Sequence, residues 1–244
     1  MMKHLICLLL VCLGFPMSVF SQDDSDDGMI QTTTEKKEKK GRGEKYLEDQ
    51  FYVGLTYDYL ISEASNVVQH SLSRGIHAGF QKDLPMNERR NIGLALGVGY
   101  SYDLVYSNIF RENTSDSYHI IKNLNDLNIN KNYFETHTLE FPIEFRWRTS
   151  TAQSHKFWRI YTGMRLGYVF SAKSLYKRDD ITIYFNNSDL NKKWHFKVYS
   201  AFGYNTWNFF IQYNLSSILK DAKLENNTSL RSSLLQMGLI FYIL

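Results

Sequence analysis

Between Glu135 and Phe170 the chain alternates apolar and polar residues twice over. In the first run Leu139, Phe141, Ile143, Phe145 and Trp147 share one parity, and Thr138, Glu140, Pro142, Glu144 and Arg146 share the other. In the second, Trp158, Ile160, Thr162, Met164, Leu166, Tyr168 and Phe170 alternate with Arg159, Tyr161, Gly163, Arg165 and Gly167. A period of two is that of a β-strand, whose successive side chains point to opposite faces. The two runs therefore predict a β-hairpin with one greasy and one charged face on each arm. Each arm has about ten residues or more, near the length of a tilted membrane-crossing strand and well above the usual five or six. Trp147 and Trp158, with Phe157, flank the connection, where an aromatic girdle would meet lipid headgroups.

The same period recurs along the chain. It runs from Phe51 to Ile61, through Ile76, Ala78 and Phe80, from Ile92 to Asp103, from Trp194 to Tyr204, from Trp207 to Leu215, and again from Leu230 to Leu244. One face of the third strand is Gly93, Ala95, Gly97, Gly99 and Ser101, small enough to admit large neighbours inside a narrow barrel. No helix is expected after these glycines, so they do not make a dinucleotide fingerprint. Ser62 to Arg74, Ser107 to Tyr133, Ser171 to Lys193 and Ser216 to Ser229 read as long or medium polar loops, the third holding a short extra strand at Ile181 to Phe185. The connections between these loops are short. Eight strands joined alternately by short and long connections predict an all-β fold. The expected architecture is an eight-stranded antiparallel transmembrane (outer-membrane) β-barrel with short periplasmic turns and longer external loops.

If the apolar faces meet lipid, the charges point inward, where they persist only when paired. Glu140, Glu144, Arg146, Arg159 and Arg165 are expected to form a structural ion ladder in the barrel interior. The length of the connection sets Glu140 opposite Arg165 and Arg146 opposite Arg159, with Glu144 diagonal to Arg159.

Composition supports a large β-structure: 244 residues, with 17 Tyr and 16 Phe but only 3 Pro. The formal charge of +3 comes with no basic stripe, and nucleic acid is excluded as a partner. Lys3 and His4 precede a nearly continuous apolar run to Phe20, the pattern of a cleavable signal peptide over residues 1–21. Residues 22–49, with DDSDDG, a threonine run and mixed Glu and Lys, read as a flexible polar periplasmic leader ahead of a barrel at 50–244. Both cysteines, Cys7 and Cys12, lie in the signal segment, so disulfides and thiolate metals take no part in the barrel. After the signal segment no apolar run reaches the roughly 18 residues of a membrane helix, leaving a closed barrel as the only way to span a bilayer.

The histidines are dispersed, and no metal, cofactor or catalytic constellation is expected. Ser200 and His195, the one pairing reminiscent of lipid-modifying barrels, fall on opposite faces of one strand. An interior of eight strands is just filled by side chains, which leaves little room for a pore.

The central hairpin carries wording that alternation does not require: Phe145-Arg146-Trp147-Arg148-Thr149-Ser150, then Lys156-Phe157-Trp158-Arg159-Ile160-Tyr161-Thr162-Gly163, then Leu166-Gly167-Tyr168. Over about residues 135–176 this resembles the PorT family of outer-membrane proteins. The resemblance implies a non-enzymatic component of the type IX protein secretion machinery, needed to export cargo across the outer membrane. Its partners would be the other secretion components and outer-membrane lipid. It carries over no catalytic residue. The turn inside the most family-like stretch, with Thr149, Ser150, Thr151, Ser154 and His155, is the expected partner contact. The alternative is a generic small outer-membrane barrel acting as an adhesin, porin or lipid-modifying enzyme.

Overall fold

The computed structural model describes residues 50–64, 66–87, 89–111, 118–120, 129–149, 157–178, 181–186, 192–220, 222–223 and 229–243. The expected signal peptide and leader lie outside these, as do Ser150, Thr151, Ser154 and His155 of the expected partner contact.

Among the described residues eleven strands follow in order: β1 (Gln50–Ser62), β2 (Arg74–Pro85), β3 (Ile92–Tyr106), β4 (Ile109–Arg111), β5 (Tyr118–Ile120), β6 (Ile129–Arg148), β7 (Trp158–Arg178), β8 (Ile181–Asn186), β9 (Trp194–Tyr204), β10 (Trp207–Asn214) and β11 (Ser232–Ile243). Eight of them form the wall. β1 pairs with β2 and β11, β2 with β3, β3 with β6, β6 with β7, β7 with β9, β9 with β10 and β10 with β11, all antiparallel. The circle closes, so no wall strand is left with an unpaired edge, the condition for a sheet surrounded by lipid.

Face assignment follows parity. Phe51, Val53, Leu55, Tyr59 and Ile61 are exposed on β1, while Tyr52, Thr56, Asp58 and Leu60 are buried. On the central hairpin Leu139, Phe141, Ile143, Ile160 and Met164 are exposed, and Glu140, Glu144, Arg146, Arg159 and Arg165 are buried. Hydrophobic outside and ionic inside reverses a soluble core, and lipid as the outer solvent accounts for it.

Aromatic pairs mark both rims. Trp158 packs on Tyr204 at 5.3 Å and Trp207 on Phe241 at 5.4 Å near the turns, while Tyr168 packs on Trp194 at 5.0 Å near the loops. From Trp158 to Tyr168 is 168 − 158 = 10 residues. At roughly 3.3 Å per residue and a tilt of about 40°, that spans about 25 Å, the height of an outer-membrane apolar band.

Two expected loops are partly strand. β4 and β5 pair within the segment read as a loop after β3, and β6 begins at Ile129 rather than near Glu135. β7 runs on to Arg178, and β8 pairs along it from Lys173 to Arg178, where the short extra strand was expected. Beyond the lipid these strands need no apolar face, so the ribbon continues without the alternation that betrays a strand.

The interior takes large side chains because β2 and β3 supply gaps. Gly79 and Gly99 pair directly across the two strands. A Cβ on Gly79 would sit 2.6 Å from the Tyr52 phenol, and one on Gly99 would overlap its hydroxyl. The tyrosine ring fills the slot they leave. At the external end, loops cover the mouth: Leu60, Val105, Ile218 and Leu234 form an apolar cluster joined by Val67, Ile109 and Phe134. Asn108 ties two of these loops, accepting from the Val68 amide and donating to the Asn66 carbonyl, each at 2.8 Å.

Candidate functional site: the barrel interior

The charged residues of the interior are stacked in layers between the periplasmic turns and the external cap. At the turn end, Arg148 of β6 pairs with Asp83 of β2 and donates from Nε to the Arg90 carbonyl at 2.9 Å. Arg159 of β7 lies at the same level, stacked over Phe157 at 4.7 Å, Tyr242 at 5.8 Å and Tyr161 at 5.9 Å.

In the next layer Arg146 Nε donates to Glu144 Oε1 at 2.7 Å and its Nη2 donates to Gln81 Oε1 at 2.7 Å. The Tyr199 hydroxyl donates to the other Glu144 oxygen at 2.9 Å. Above it, Glu140 accepts from Arg165 Nη1 at 3.1 Å and from Lys197 Nζ at 2.7 Å, with all three side chains almost fully buried. Arg165 lies over the rings of Tyr199 at 4.3 Å, Phe210 at 5.0 Å and Tyr52 at 5.3 Å. Each ring face supplies negative potential to a cation that water does not reach.

Nearest the external cap, Asp58 and Asp103 share one amide: Gln236 Nε2 donates to both, at 3.0 and 2.8 Å. Gln212 holds the Gln236 carbonyl at 2.6 Å, and Thr56 donates to Asp58 at 2.7 Å.

The structure brings Glu140 to Arg165 and Glu144 to Arg146, but not through the expected register. Arg165 stands opposite Pro142 and Glu140 opposite Gly167, while Arg146 faces Tyr161 and Arg159 faces Arg148. The hairpin is shifted two residues from the expected pairing. A two-residue shift keeps every side chain on its face, so parity survived while partners changed. Arg159 contacts neither glutamate and has no carboxylate partner among the described residues. Thr149, the one described residue of the expected partner contact, joins the two arms: its amide donates to the Trp158 carbonyl at 2.9 Å and its hydroxyl accepts from the Trp158 amide at 3.0 Å.

Several participants went unseen in the sequence. Arg148 and Lys197 continue the inward parity of their strands, and that signal could have found them. Tyr199 shares the parity of Lys197 on β9, while the roles of Gln81, Asp83 and Gln236 depend on which strands the wall brings together. His195 faces inward within 3.1 Å of Asn214, and Ser200 faces out, donating to the Tyr161 carbonyl at 3.4 Å. Among the described residues no group of three or more His, Cys, Asp or Glu is placed to hold a metal ion.

The profile of the outer membrane protein beta-barrel domain family matches residues 20–234. The chain belongs to that family. Its apolar outer face is therefore the lipid-facing surface of an outer-membrane protein. Among solved structures it is similar to Ail, the attachment invasion locus protein of Yersinia pestis, with 11% identity and a TM-score of 0.32 over 79% of this chain and 97% of that one. The same protein in complex with the heparin analogue sucrose octasulfate gives 9% identity and a TM-score of 0.33 over 80% and 99%. No curated protein matches the sequence.

Proposed function

We propose that this outer-membrane barrel is a non-enzymatic component of the type IX secretion machinery, of the PorT kind, required for cargo to cross the outer membrane. The observation that carries the reading is the wording of the central hairpin from Phe145 to Tyr168, which exceeds what barrel alternation demands. A filled interior supports it. Glu140, Arg165, Lys197 and the rings around them occupy the middle of the barrel, and an apolar cap covers one end, which favours work done by surfaces over work done by a channel. The periplasmic turn between β6 and β7, with Thr149, Ser150, Thr151, Ser154 and His155, is the proposed contact for the other components. Deleting the protein should trap cargo in the periplasm while the outer membrane stays intact. Replacing Thr149 to His155 by a short Asn-Gly turn should preserve the heat-modifiable barrel and impair export. Full export by the deletion strain would overturn the role, and full export by the turn variant would exclude that contact.

A second reading, an adhesin, is favoured by one feature: β6, β7 and β8 continue as a sheet on the external side, with Tyr184 highly exposed. Normal secretion with altered adhesion on deletion would select it.

A further inference from the structure

The outward row of the wall continues above the external rim. Leu139 of β6, exposed on the lipid face, stands opposite Tyr168 of that rim. Farther along β6 the same parity brings Glu135, Tyr133 and Lys131 outward, while Thr138, Thr136 and Asn132 are buried on the other face. On β7 the extra residue at Phe170 shifts the count, so Lys173, Leu175 and Lys177 stand opposite Glu135, Tyr133 and Lys131 and share their face. The neighbouring strands widen it. Tyr184 of β8 lies opposite Leu175, Tyr106 of β3 opposite Tyr133, and Leu104 carries the Glu135 row across to Arg74 of β2.

Charge and height on this face converge on one kind of occupant. Lys131, Lys173 and Arg74 are exposed and Lys177 is half-buried, yet none of the four is within ion-pair distance of a carboxylate among the described residues. Glu135, opposite Lys173, accepts instead from the Tyr102 hydroxyl at 3.0 Å. Lys131 and Lys177 face each other directly, a like-charge pair that an anion between them would relieve. From Leu139 the Glu135–Lys173 pair is 139 − 135 = 4 residues up the strand, and the Lys131–Lys177 pair is 139 − 131 = 8. At roughly 3.3 Å per residue and a tilt of about 40°, they stand about 10 and about 20 Å above the rim. That is the level of the head groups, and the face looks sideways into them. Its rings suit sugars: Tyr106 and Tyr133 pack at 5.3 Å, and Tyr184 is 71% exposed.

We infer that this face holds the phosphorylated sugar head group of a glycolipid in the outer leaflet. Lys131, Lys173, Lys177 and Arg74 meet its phosphates, and Tyr133 and Tyr184 lie against its sugar rings. Ammonium groups on flexible stems reach phosphates at different heights without demanding a fixed plane. Cations clustered just beyond a membrane-spanning segment are placed to attract anionic head groups. The inference rests on the lipid-facing parity of the wall and does not depend on the secretion role.

The test uses the full exported chain in phosphatidylcholine nanodiscs, its lysines carrying carbon-13 dimethyl groups, which keep the charge. NMR follows the methyl resonances of Lys131, Lys173 and Lys177, assigned with K131R, K173R and K177R. The discs are prepared with bisphosphorylated lipid A, with dephosphorylated lipid A or with phosphatidylglycerol. Bisphosphorylated lipid A should move all three resonances, the dephosphorylated form should not, and phosphatidylglycerol should move them less. In native mass spectrometry a heat-modifiable K131Q/K173Q/K177Q variant should hold bisphosphorylated lipid A at least about tenfold more weakly, and K131R/K173R/K177R should recover most of the affinity. Resonances that bisphosphorylated lipid A leaves in place overturn the site, whatever the folding of the glutamine variant. Equal movement by dephosphorylated lipid A or by phosphatidylglycerol overturns the assignment to a phosphorylated sugar head group. Equal movement by heparin, added to discs without lipid A, overturns it in favour of a soluble polysaccharide.

Discussion

Changing Glu140 to Ala removes an acid that serves two buried cations. Its oxygens lie 3.1 Å from Arg165 Nη1 and 2.7 Å from Lys197 Nζ. With an effective dielectric constant of about 20, the two attractions amount to roughly 5 and roughly 6 kcal/mol before desolvation is counted. Most of that offsets the cost of burying three charges, and the measured loss on breaking such a pair is about 3–5 kcal/mol. Because two cations are stranded at once, the expected loss lies near the upper end, about 4–5 kcal/mol. Urea unfolding in lipid vesicles, read by intrinsic fluorescence and by the heat-modifiable gel shift, should show it. With a slope of about 2 kcal/mol per molar, the midpoint falls by about 2 M. Adding Lys197→Met should recover part of the loss, since only Arg165 then remains without its acid; the two sites touch, so their effects are not additive. A midpoint within about 0.5 M of wild type would refute the reasoning. So would a double variant no more stable than Glu140→Ala alone.

Two further outcomes test the packing and the lipid face. Gly99→Ala places a methyl against the Tyr52 hydroxyl and should destabilise the barrel by about 1–3 kcal/mol, while Tyr52→Phe in the same chain should restore much of it in the same unfolding assay. Met164, 66% exposed and midway between the two aromatic rims on β7, should cost about 2–4 kcal/mol when changed to Arg, read as a lowered urea midpoint in vesicles.

Parity was legible in the sequence because lipid outside and charge inside impose opposite demands on neighbouring residues. That is why Phe141 and Glu140, or Ile160 and Arg159, could be assigned to faces from the chain alone. Register was not legible. The connection between Arg148 and Trp158 does not fix it by length, and the bulge between His137 and Thr138 changes the count along the pair. The pairing of Arg165 with Pro142 leaves its guanidinium to reach Glu140 diagonally. Contacts such as Lys197 to Glu140, two strands apart in the wall, or Gln236 to Asp58, across the closing pair of β1 with β11, join segments far apart in sequence, and only the assembled wall creates them. The external continuation of β6 and β7 was hidden because nothing outside the bilayer selects one apolar face.

Closure itself rests on β1 meeting β11, from Phe51 with Ile243 at one end to Ser62 with Ser232 at the other. The first of these pairs is separated by 243 − 51 = 192 residues. Contacts of such long range are slow to form, since chain entropy is lost before the pairing can compensate. Until the last strand arrives, β1 presents an open edge, and its apolar row from Phe51 to Ile61 has no lipid to meet. The chain must therefore cross the periplasm as a long-lived unfolded species. Its yield in the outer membrane should depend as much on the holding chaperones and insertion catalysts it meets on the way as on the stability of the finished barrel.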